Sequence, residues 1–426
     1  MPERIIIKNG HIVDPSQDID GPGDILIEDG LIKALGNGAA GPGAFRGKVI
    51  NASGMLVLPG LVDIHTHLRE PGFEHKETIR TGTIAAVMGG FTSICCMPNT
   101  NPVNDNATVT TFIIKRAKKE GACKVYPVGS VTKGQDGEEL AEFGMMYESG
   151  CIAFSDDGRP VTGSLVMRRA LEYSRIFGVP IISHCEDLSL ADDGVMNEGE
   201  TSALLGLRGI PSASEEVMVS RDIILAGLTG GRLHIAHVST KGAVELIRNA
   251  KAKGINVTAE TCPHYFTITE GAVAGYNTNA KVNPPLRTLK DVEAIRDGLR
   301  DGTLDVIATD HAPHHKDEKL REFDKAPFGI SGLETALGLS LRLVTDGVLS
   351  MGQLVRKMAL NPSRIMGMEA GSLKPGAEAD VVIVDPEKEY TVDAERFQSR
   401  GKNTPFDGWT LKGMPVLTLM QGKVFE

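Results

Sequence analysis

The segment DIHTH places two histidines, His65 and His67, two residues apart at the end of an apolar run. On a β-strand, side chains at positions i and i+2 point to the same face, so both imidazoles would reach the same space. Two imidazoles on one face provide half of a zinc site, because zinc prefers nitrogen and carboxylate ligands. An HxH motif alone is weak evidence, since buried histidines also serve as ordinary hydrogen-bonded core residues.

Ligand-type side chains also end four other apolar runs. They are Asp156 and Asp157 after CIAFS, His184 in SHCED, His237 in HIAHVS and Asp310 in IATDHAPH. Their recurrence at the ends of separate runs favours one shared site over unrelated structural roles. With the HxH pair and one of the adjacent aspartates, the set contains four histidines and two aspartates, enough for two metal ions that share a bridging ligand.

A pair of neighbouring cations needs a shared anionic ligand, and many barrel hydrolases obtain it from a carboxylated lysine on the fourth strand. No lysine occurs between Lys133 and Lys241, so the run that ends in CIAFSDDGRP cannot supply one. A carboxylate of Asp156 or Asp157 is the available substitute. The alternative is an ordinary Asp-Gly turn, and spacing alone does not decide between the two aspartates.

Other polar residues beside these runs could contact a substrate. Arg69 in HLREPG is suited to bidentate capture of a carboxylate, or it forms a surface ion pair with Glu70. Asn99 in MPNTNP and Asn283 in VNPPLR could hold the polar edge of a ring, or could cap turns. Residues 325–335, KAPFGISGLET, have the glycine content of a mobile loop that could close over a substrate.

Two features beside the ligand-type residues have competing interpretations. Histidines also stand at 311, 314 and 315, and side chains this closely spaced after a strand cannot all point inward, so some should be solvated. Cys185 adjoins His184 and is either a thiolate ligand for zinc or a packed apolar side chain, and packing is the favoured reading.

The elements that would position these residues are repeated β-α units. Apolar, β-branched runs alternate with segments of helical period such as 164–178 and 241–254. The runs are 55–67, 91–98, 124–132, 151–157, 180–187, 232–239, 256–266 and 304–314. Eight such units in about 310 residues predict a (β/α)8 TIM barrel, in which chemistry takes place at the carboxyl ends of the strands. A doubly wound open sheet is disfavoured because no glycine-rich phosphate loop opens the first crossover.

Both ends of the chain have a different character from the middle. The first ~55 residues and the last ~55 residues are strings of short strands with turns, which predict one small β-sandwich domain built from both termini. The expected α/β chain therefore has an N-terminal part of the β domain at 1–55, the barrel at 56–368 and the C-terminal part of the β domain at 369–426.

Composition restricts the class of protein. The 426 residues are 41% hydrophobic and 23% charged, as in globular proteins, and the net charge of -10 does not predict nucleic-acid binding. The sequence contains no apolar stretch long enough for a membrane helix and no secretory pattern at its start. Six cysteines without a CxxC pair predict a reduced, cytoplasmic protein.

The motifs DIHTHLREPG, MPNTNP, FSDDGRP, SHCED, HIAHVST, VNPPLR, ATDHAPH and FGISGLET together resemble those of the dihydroorotases of the amidohydrolase superfamily. The resemblance is to the long bacterial class and runs essentially end to end. HLREPG alone is shared with allantoinases, whereas the joint set is highly specific. Dihydropyrimidinases and hydantoinases carry the bridging lysine that this sequence lacks.

The resemblance assigns roles by motif position. It implies a first metal bound by His65, His67 and Asp310, a second metal bound by His184 and His237, and a bridge at Asp157. The implied cofactor is zinc, with two ions per subunit or one. Implied substrate contacts are His67, Leu68, Arg69, Asn99, Asn283, His314, Phe328 and Gly329.

The implied reaction is the reversible cyclisation of N-carbamoyl-L-aspartate to L-dihydroorotate plus water, in de novo pyrimidine biosynthesis. In the hydrolytic direction, Asp310 would accept a proton from the attacking water and deliver it to the departing ring nitrogen. One alternative is another cyclic amide hydrolase, such as an allantoinase or hydantoinase; the carboxylate-binding Arg69 and the missing lysine oppose it. A second is a non-catalytic partner of aspartate carbamoyltransferase, which the six retained ligands oppose. A homodimer is expected, and association with that transferase is left open.

Overall fold

The computed structural model describes residues 4–36, 38, 39 and 45–426. Residues 1–3, 37 and 40–44, all within the expected N-terminal part of the β domain at 1–55, lie outside the described residues.

Strands occur at both ends of the chain and between the helices. They are β1 (Arg4–Asp14), β2 (Ile19–Glu28), β3 (Leu31–Leu35), β4 (Lys48–Asn51), β5 (Leu56–Pro59), β6 (Leu61–Thr66), β7 (Phe91–Cys96), β8 (Lys124–Pro127), β9 (Phe154–Ser155), β10 (Ile181–Ser183), β11 (Met196–Asn197), β12 (Gly209–Ile210), β13 (Leu233–Ile235), β14 (Val257–Thr261), β15 (Val306–Ile307), β16 (Val381–Thr391), β17 (Thr410–Met420) and β18 (Lys423–Phe425).

The α-helices lie almost entirely in the middle of the chain. They are α1 (Ile79–Met88), α2 (Ala107–Glu120), α3 (Phe143–Glu148), α4 (Ser164–Ser174), α5 (Leu188–Ala191), α6 (Glu200–Leu205), α7 (Ser212–Thr229), α8 (Lys241–Ala252), α9 (Pro263–Thr267), α10 (Leu289–Asp301), α11 (Lys316–Lys319), α12 (Ala336–Thr345), α13 (Met351–Val355) and α14 (Asn361–Met366). A π-helical turn, Arg356–Leu360, joins α13 to α14. None of the described helices has both the length and the apolar character needed to cross a membrane.

The two ends of the chain form one mixed sheet. Its strands lie in the order β18-β17-β16-β5-β1-β2-β3, and β4 pairs in parallel with β1. Side chains alternate between the two faces of these strands, so isoleucines such as Ile5, Ile7, Ile25 and Ile27 point to the same buried side. They form a cluster that Ile383 and other residues of the C-terminal strands complete. The C-terminal strands therefore cover apolar surface that the N-terminal strands cannot bury alone.

The first apolar run, 55–67, contains two strands with different partners. β5 pairs with β1 and β16 of the mixed sheet, whereas β6 pairs in parallel with β7. Gly60 separates the two strands, and a Cβ at this position would lie 2.2 Å from Oγ1 of Thr92 on β7. The chain thus passes from the mixed sheet to the parallel strands at a point where only glycine fits.

The other seven runs each contain one parallel strand. Three strands pair in the order β6-β7-β8 and five in the order β15-β14-β13-β10-β9. Isolated parallel bridges join the two groups, Gly129 to Phe154 on one side and Thr66 to His311 on the other. Residues within or directly beside most of these strands form a common apolar cluster that includes Ile64, Cys95, Val128, Ala153, Ile182, Ala236 and Ala308. The protein is thus an α/β chain with mixed and parallel sheets. The carboxyl ends of its parallel strands lie on the same side.

Candidate active site

The six ligand-type residues predicted from the sequence meet at the carboxyl ends of the parallel strands. His65 belongs to β6 and His67 follows it, while the others follow β9, β10, β13 and β15: Asp157, His184, His237 and Asp310. All six side chains are buried. Residues separated by up to 245 positions therefore share one water-poor space.

Asp157 lies at the centre of this cluster and contacts all four imidazoles. Its Oδ1 is 3.3 Å from Nε2 of His65 and 3.4 Å from Nε2 of His237. The same oxygen is 3.6 Å from Nδ1 of His184, and Oδ2 is 3.4 Å from Nε2 of His67. With three imidazole nitrogens near Oδ1 and one near Oδ2, this carboxylate could contact two cations held by different imidazoles.

Two ligand groups flank the Asp157 carboxylate. On one side, Oδ1 of Asp310 is 3.1 Å from Nε2 of His67 and 3.6 Å from Nε2 of His65. On the other side, Nδ1 of His184 is 2.8 Å from Nε2 of His237. The nitrogens and oxygens of His65, Asp157 and His237, and those of His65, His67 and Asp310, form groups whose ligand atoms lie within 4.8 Å of one another.

The hydrogen-bonding state of these atoms fits a site that can hold a cation. Nε2 of His65 and Oδ1 of Asp157 are buried and have no hydrogen-bond partner. Buried polar atoms nearly always have a hydrogen-bond or ligand partner, so two unpaired atoms that face each other are consistent with a site for a bound ion. A metal ion that accepts imidazole nitrogen and carboxylate oxygen satisfies both, and the donor set is one that zinc prefers.

A further layer of carboxylates and amides holds the imidazoles from behind. Nδ1 of His65 lies 2.5 Å from Oε1 of Glu260, and Nδ1 of His67 lies 2.9 Å from Oδ1 of Asn99. Nε2 of His184 is 3.3 Å from Oε2 of Glu186. Such partners fix which ring nitrogen carries the proton, so that the other nitrogen presents its lone pair to the cluster.

Sequence reasoning missed Glu260 and Glu186. Glu260 is an acid inside the apolar run NVTAETCPHYF, and Glu186 stands two residues after His184 in SHCED. Burial alone would raise the pKa of Glu260, but His65 and His234 hold that pKa well below its usual range. An acidic residue inside a buried strand was the available signal, because a buried carboxylate requires a cationic or hydrogen-bonding partner.

The adjacent aspartates point in different directions. Asp156 accepts hydrogen bonds through Oδ1 from the backbone N–H groups of Val131 and Thr132, at 2.8 and 3.1 Å, and through Oδ2 from the Thr132 hydroxyl. Burial raises the pKa of Asp156 to about 6, while that of Asp157 is held far below its usual range because the surrounding histidines outweigh its burial. Asp156 therefore secures the loop after β8, and Asp157 faces the cluster.

A cavity of about 320 Å³ opens beside the cluster. Seven of the eight predicted substrate contacts line it, namely His67, Arg69, Asn99, Asn283, His314, Phe328 and Gly329. Leu68 does not line the cavity; its side chain is buried against α1, where its Cδ2 lies 2.5 Å from the position of a Cβ on Gly82. Leu68 can therefore contribute only through its backbone.

Arg69 provides the cationic wall of this cavity. Its Nε donates to the carbonyl of Pro313 at 3.3 Å, and its Nη2 lies 3.4 Å from Nε2 of His314. Burial lowers the pKa of Arg69 to about 10, so the guanidinium stays charged at neutral pH. The alternative ion pair with Glu70 does not form, because Glu70 pairs with Arg116 at 2.7 Å.

His314 is a neutral neighbour of this arginine. Burial, reinforced by the charges of Arg69 and Lys76, lowers the pKa of His314 far below its ordinary value. Its Nε2 lies 2.8 Å from the carbonyl of Phe328, an arrangement in which the ring donates. His314 thus connects the segment after β15 to the 325–335 loop.

The other histidines after Asp310 point away from the cluster. Nε2 of His311 is 3.4 Å from Oε2 of the buried Glu77, and Nδ1 accepts from the N–H of Gly332 at 3.2 Å. His315 is solvated and caps α11. The expectation that some would be solvated fits His315, whereas His311 has a buried structural role.

Asn283 and Cys185 are occupied by neighbours. Nδ2 of Asn283 lies 3.1 Å from each carboxylate oxygen of Glu186, which links the cavity to His184. The thiol of Cys185 is buried against Ser183 and Asp222, and this burial raises its pKa well above the ordinary value. Cys185 is therefore a thiol that packs.

The chain is similar to known proteins over nearly its whole length. The family model described as Dihydro-orotase-like matches residues 54–243. The dihydroorotase of Geobacter metallireducens is 57% identical over 99% of both chains, and that of Acetivibrio thermocellus is 56% identical over 99% of this chain and 98% of that protein.

Solved structures give the same architecture at lower identity. The L-hydantoinase (dihydropyrimidinase) of Arthrobacter aurescens has a TM-score of 0.89 at 27% identity, covering 100% of this chain and 96% of that one. The dihydropyrimidinase of Brevibacillus agri has a TM-score of 0.86 at 24% identity, covering 99% and 94%, and shows likeness of fold alone.

The divergent orientation of the two aspartates predicts different effects of the same substitution. Asp157→Asn removes the negative charge between the four imidazoles and should weaken zinc binding by about 100-fold or more. Asp156→Asn keeps an oxygen for the backbone N–H groups and should retain wild-type zinc affinity with a small loss of stability, about 1 kcal/mol. Zinc competition titrations of both variants test this, and equal affinities would contradict the orientation.

Proposed function

Because the chain belongs to the dihydroorotase family, we propose that its cluster of four histidines and two aspartates is a zinc centre that serves the family's reaction. That reaction is the reversible cyclisation of N-carbamoyl-L-aspartate to L-dihydroorotate and water, in de novo pyrimidine biosynthesis. The protein is thus a hydrolase of cyclic amides. The observation that carries the proposed centre is the contact of Asp157 with all four imidazoles.

We also propose that the parallel strands close into a (β/α)8 barrel, which supports this centre. The bridges from Gly129 to Phe154 and from Thr66 to His311 support closure, since they join the three-stranded and five-stranded groups at both edges. The mixed terminal sheet would be the small β-sandwich, with boundaries at 1–55, 56–368 and 369–426.

Two zinc ions fit the ligand set in the proposal. His65, His67 and Asp310 would hold one ion, His184 and His237 the other, and Asp157 would bridge them. When bound, the metal would polarise the ring carbonyl and make water a better nucleophile at neutral pH. Glu260 and Glu186 would keep His65 and His184 in the tautomers that direct a lone pair to the metal.

Substrate binding in the proposal depends on Arg69. Both the cyclic substrate and the open-chain one carry a carboxylate, which a guanidinium can hold through two hydrogen bonds. His314 is neutral and adjacent, so it can donate or accept without competing for the charge. Asn99, Asn283, the Leu68 backbone and the Phe328–Gly329 segment would hold the remaining ring edge.

Proton transfer is assigned to Asp310. Burial would raise the pKa of Asp310, but hydrogen bonding to His67 and the charge of His65 bring it below the usual value. The side chain is therefore an ionised base at neutral pH. It would accept a proton from the attacking water and give it to the departing ring nitrogen.

Specific features of the site oppose each of the two alternative functions. A hydantoinase or allantoinase acts on rings without this carboxylate, and the charged Arg69 in the cavity favours a carboxylated ring. A non-catalytic partner chain would need no metal centre, whereas this chain retains all six ligand-type residues in one cluster. Both observations favour the hypothesis that the protein is a catalytic dihydroorotase.

Compartment and assembly are also part of the proposal. A reduced, cytoplasmic setting is supported by the six cysteines, which are all buried free thiols. A homodimer and an association with aspartate carbamoyltransferase are predictions made from the family resemblance.

Metal removal combined with a substrate panel tests the proposed function. Purified protein should hydrolyse L-dihydroorotate, lose turnover when a chelator removes its metal, and regain it with zinc. Allantoin and hydantoin should be turned over at least about 100-fold more slowly. Neither ring carries the carboxylate, so the charged group of the site that binds it would stay unpaired. Activity that survives complete metal removal, or a preference for an uncharged ring, would refute the proposal.

The role of Asp310 predicts a loss of turnover without loss of the whole centre. Asp310→Ala should lower kcat by about 100-fold or more, because it removes the proton acceptor. Metal content should stay largely intact, because the remaining ligands are in place. Steady-state kinetics and elemental analysis check both results, and near-normal turnover would remove Asp310 from the mechanism.

Charge and geometry at Arg69 predict a substrate-specific defect. Arg69→Lys keeps the positive charge but loses the planar pair of donors, so KM for L-dihydroorotate should rise by about tenfold or more. Weak hydrolysis of an uncharged ring such as dihydrouracil should stay unchanged, which serves as the internal control. A parallel loss for both rings would show that Arg69 supports the fold instead of the substrate carboxylate.

A further inference from the structure

Asn403 is a buried residue of the C-terminal segment that reaches the edge of the cavity without lining it. It lies between a short 3₁₀ helix, Ala394–Arg396, and strand β17, and its side chain is 3% exposed. The family motifs quoted above do not include this part of the chain. Its contacts are with the two segments that carry proposed substrate contacts, one after β15 and one in the 325–335 loop.

The amide of Asn403 uses its full hydrogen-bonding capacity. Nδ2 donates to the carbonyl of Ala312 at 3.0 Å and to that of Gly329 at 2.9 Å. Oδ1 accepts from the N–H of His314 at 2.9 Å and from the hydroxyl of Ser331 at 3.0 Å. Two donors and two acceptor positions are all that an asparagine side chain offers. The neighbours also fix the orientation of the amide, since a flipped group would set N–H against N–H and oxygen against oxygen.

The two segments are already joined directly, since Nε2 of His314 lies 2.8 Å from the carbonyl of Phe328 and the N–H of Ala312 donates to the carbonyl of Ile330 at 2.9 Å; Asn403 adds a second connection. Ala312 and Gly329 each present a carbonyl, and two carbonyls cannot bond to each other. The backbone N–H of His314 and the hydroxyl of Ser331 both donate to the amide oxygen of Asn403. A planar primary amide donates to one pair and accepts from the other at once, and these four bonds help to fix the distance between the segments.

The backbone around Asn403 presses against the same region. The N–H of Ser331 donates to the carbonyl of Asn403 at 2.8 Å. A Cβ on Gly401 would lie 2.4 Å from Cβ and 2.7 Å from Cα of Pro313, so only glycine allows this close approach. Pro313 is also the residue whose carbonyl accepts from Nε of Arg69.

We propose that Asn403 is a positioning residue for substrate binding. It holds His314 and Gly329 at the separation that the substrate requires, although it does not itself line the cavity. The inference rests on the proposed role of these two residues as substrate contacts. Because misplacement by about 1 Å can cost an enzyme a factor of 100, loss of the Asn403 amide should be visible in substrate binding.

The test is steady-state kinetics of Asn403→Ala in the zinc-loaded full-length protein. KM for L-dihydroorotate should rise by about 10- to 100-fold, while kcat changes by less than about threefold and zinc content is unchanged. A purely structural role would lower thermal stability and leave KM unaltered. An unchanged KM in a folded, metal-loaded variant would overturn the proposal.

A matched control separates positioning from loss of a buried amide. Asn197 is also 3% exposed, and it bonds through both ends of its amide, to Glu270 at 2.5 Å and from Arg287 at 2.8 Å. It does not line the cavity. Asn197→Ala should lower stability and leave KM at the wild-type value. An equal rise in KM for both variants would count against a specific role for Asn403.

Gly401→Ala provides a second variant in case Asn403→Ala does not fold. It removes no hydrogen-bonding group but forces the segment away from Pro313, so KM should rise as in Asn403→Ala. An unchanged KM in this variant would oppose the proposal. His314→Ala distinguishes the two levels of inference: if it leaves KM unchanged, the substrate-contact assignment fails, and if it raises KM while Asn403→Ala does not, only the positioning role fails.

Discussion

One buried negative charge, the carboxylate of Asp157, sets the requirements for the rest of the site. A carboxylate removed from water is stable only beside groups that compensate its charge, and the four imidazole nitrogens within 3.6 Å of it can do so either as N–H donors or by holding a cation with it. Three of the imidazoles, those of His65, His184 and His67, have partners on their far nitrogens, which Glu260, Glu186 and Asn99 supply. The Asp157 carboxylate is therefore surrounded by imidazoles, and a second set of carboxylate and amide groups surrounds the imidazoles.

This arrangement holds several residues in an unfavourable backbone conformation. Arg69, His237 and Asp310 have φ values of 61°, 32° and 47°, in the left-handed region that side chains with a Cβ disfavour. Each such residue costs about 1–3 kcal/mol and persists only where the surroundings over-determine it. Hydrogen bonds from neighbouring segments do this here, and the backbone turn directs each functional side chain away from the strand and into the shared space.

The C-terminal segment contributes to the site as well as to the mixed sheet. Ser399 donates to Glu77, which lies 3.4 Å from His311, and Asn403 joins the segments around His314 and Gly329. Strands β16 and β17 on either side of this stretch are paired within the sheet that both termini form. The cavity is thus supported by a part of the chain whose motifs show no catalytic chemistry.

The sequence alone determined the repeated β-α units, the strand ends at which chemistry would occur, and the family, because periodicity and motif spacing are local properties. Each of the eight predicted runs contains a parallel strand, although run 55–67 divides at Gly60 between two sheets, which local pattern does not reveal. The family resemblance implied Asp157 as the bridge, whereas only the tertiary structure showed what occupies Asp156, turned His311 away from His314, and placed Glu260 and Asn403 behind the site. These outcomes depend on which partners lie across the fold, at separations of tens to hundreds of residues, and such partners are specified by packing and burial and not by neighbouring sequence.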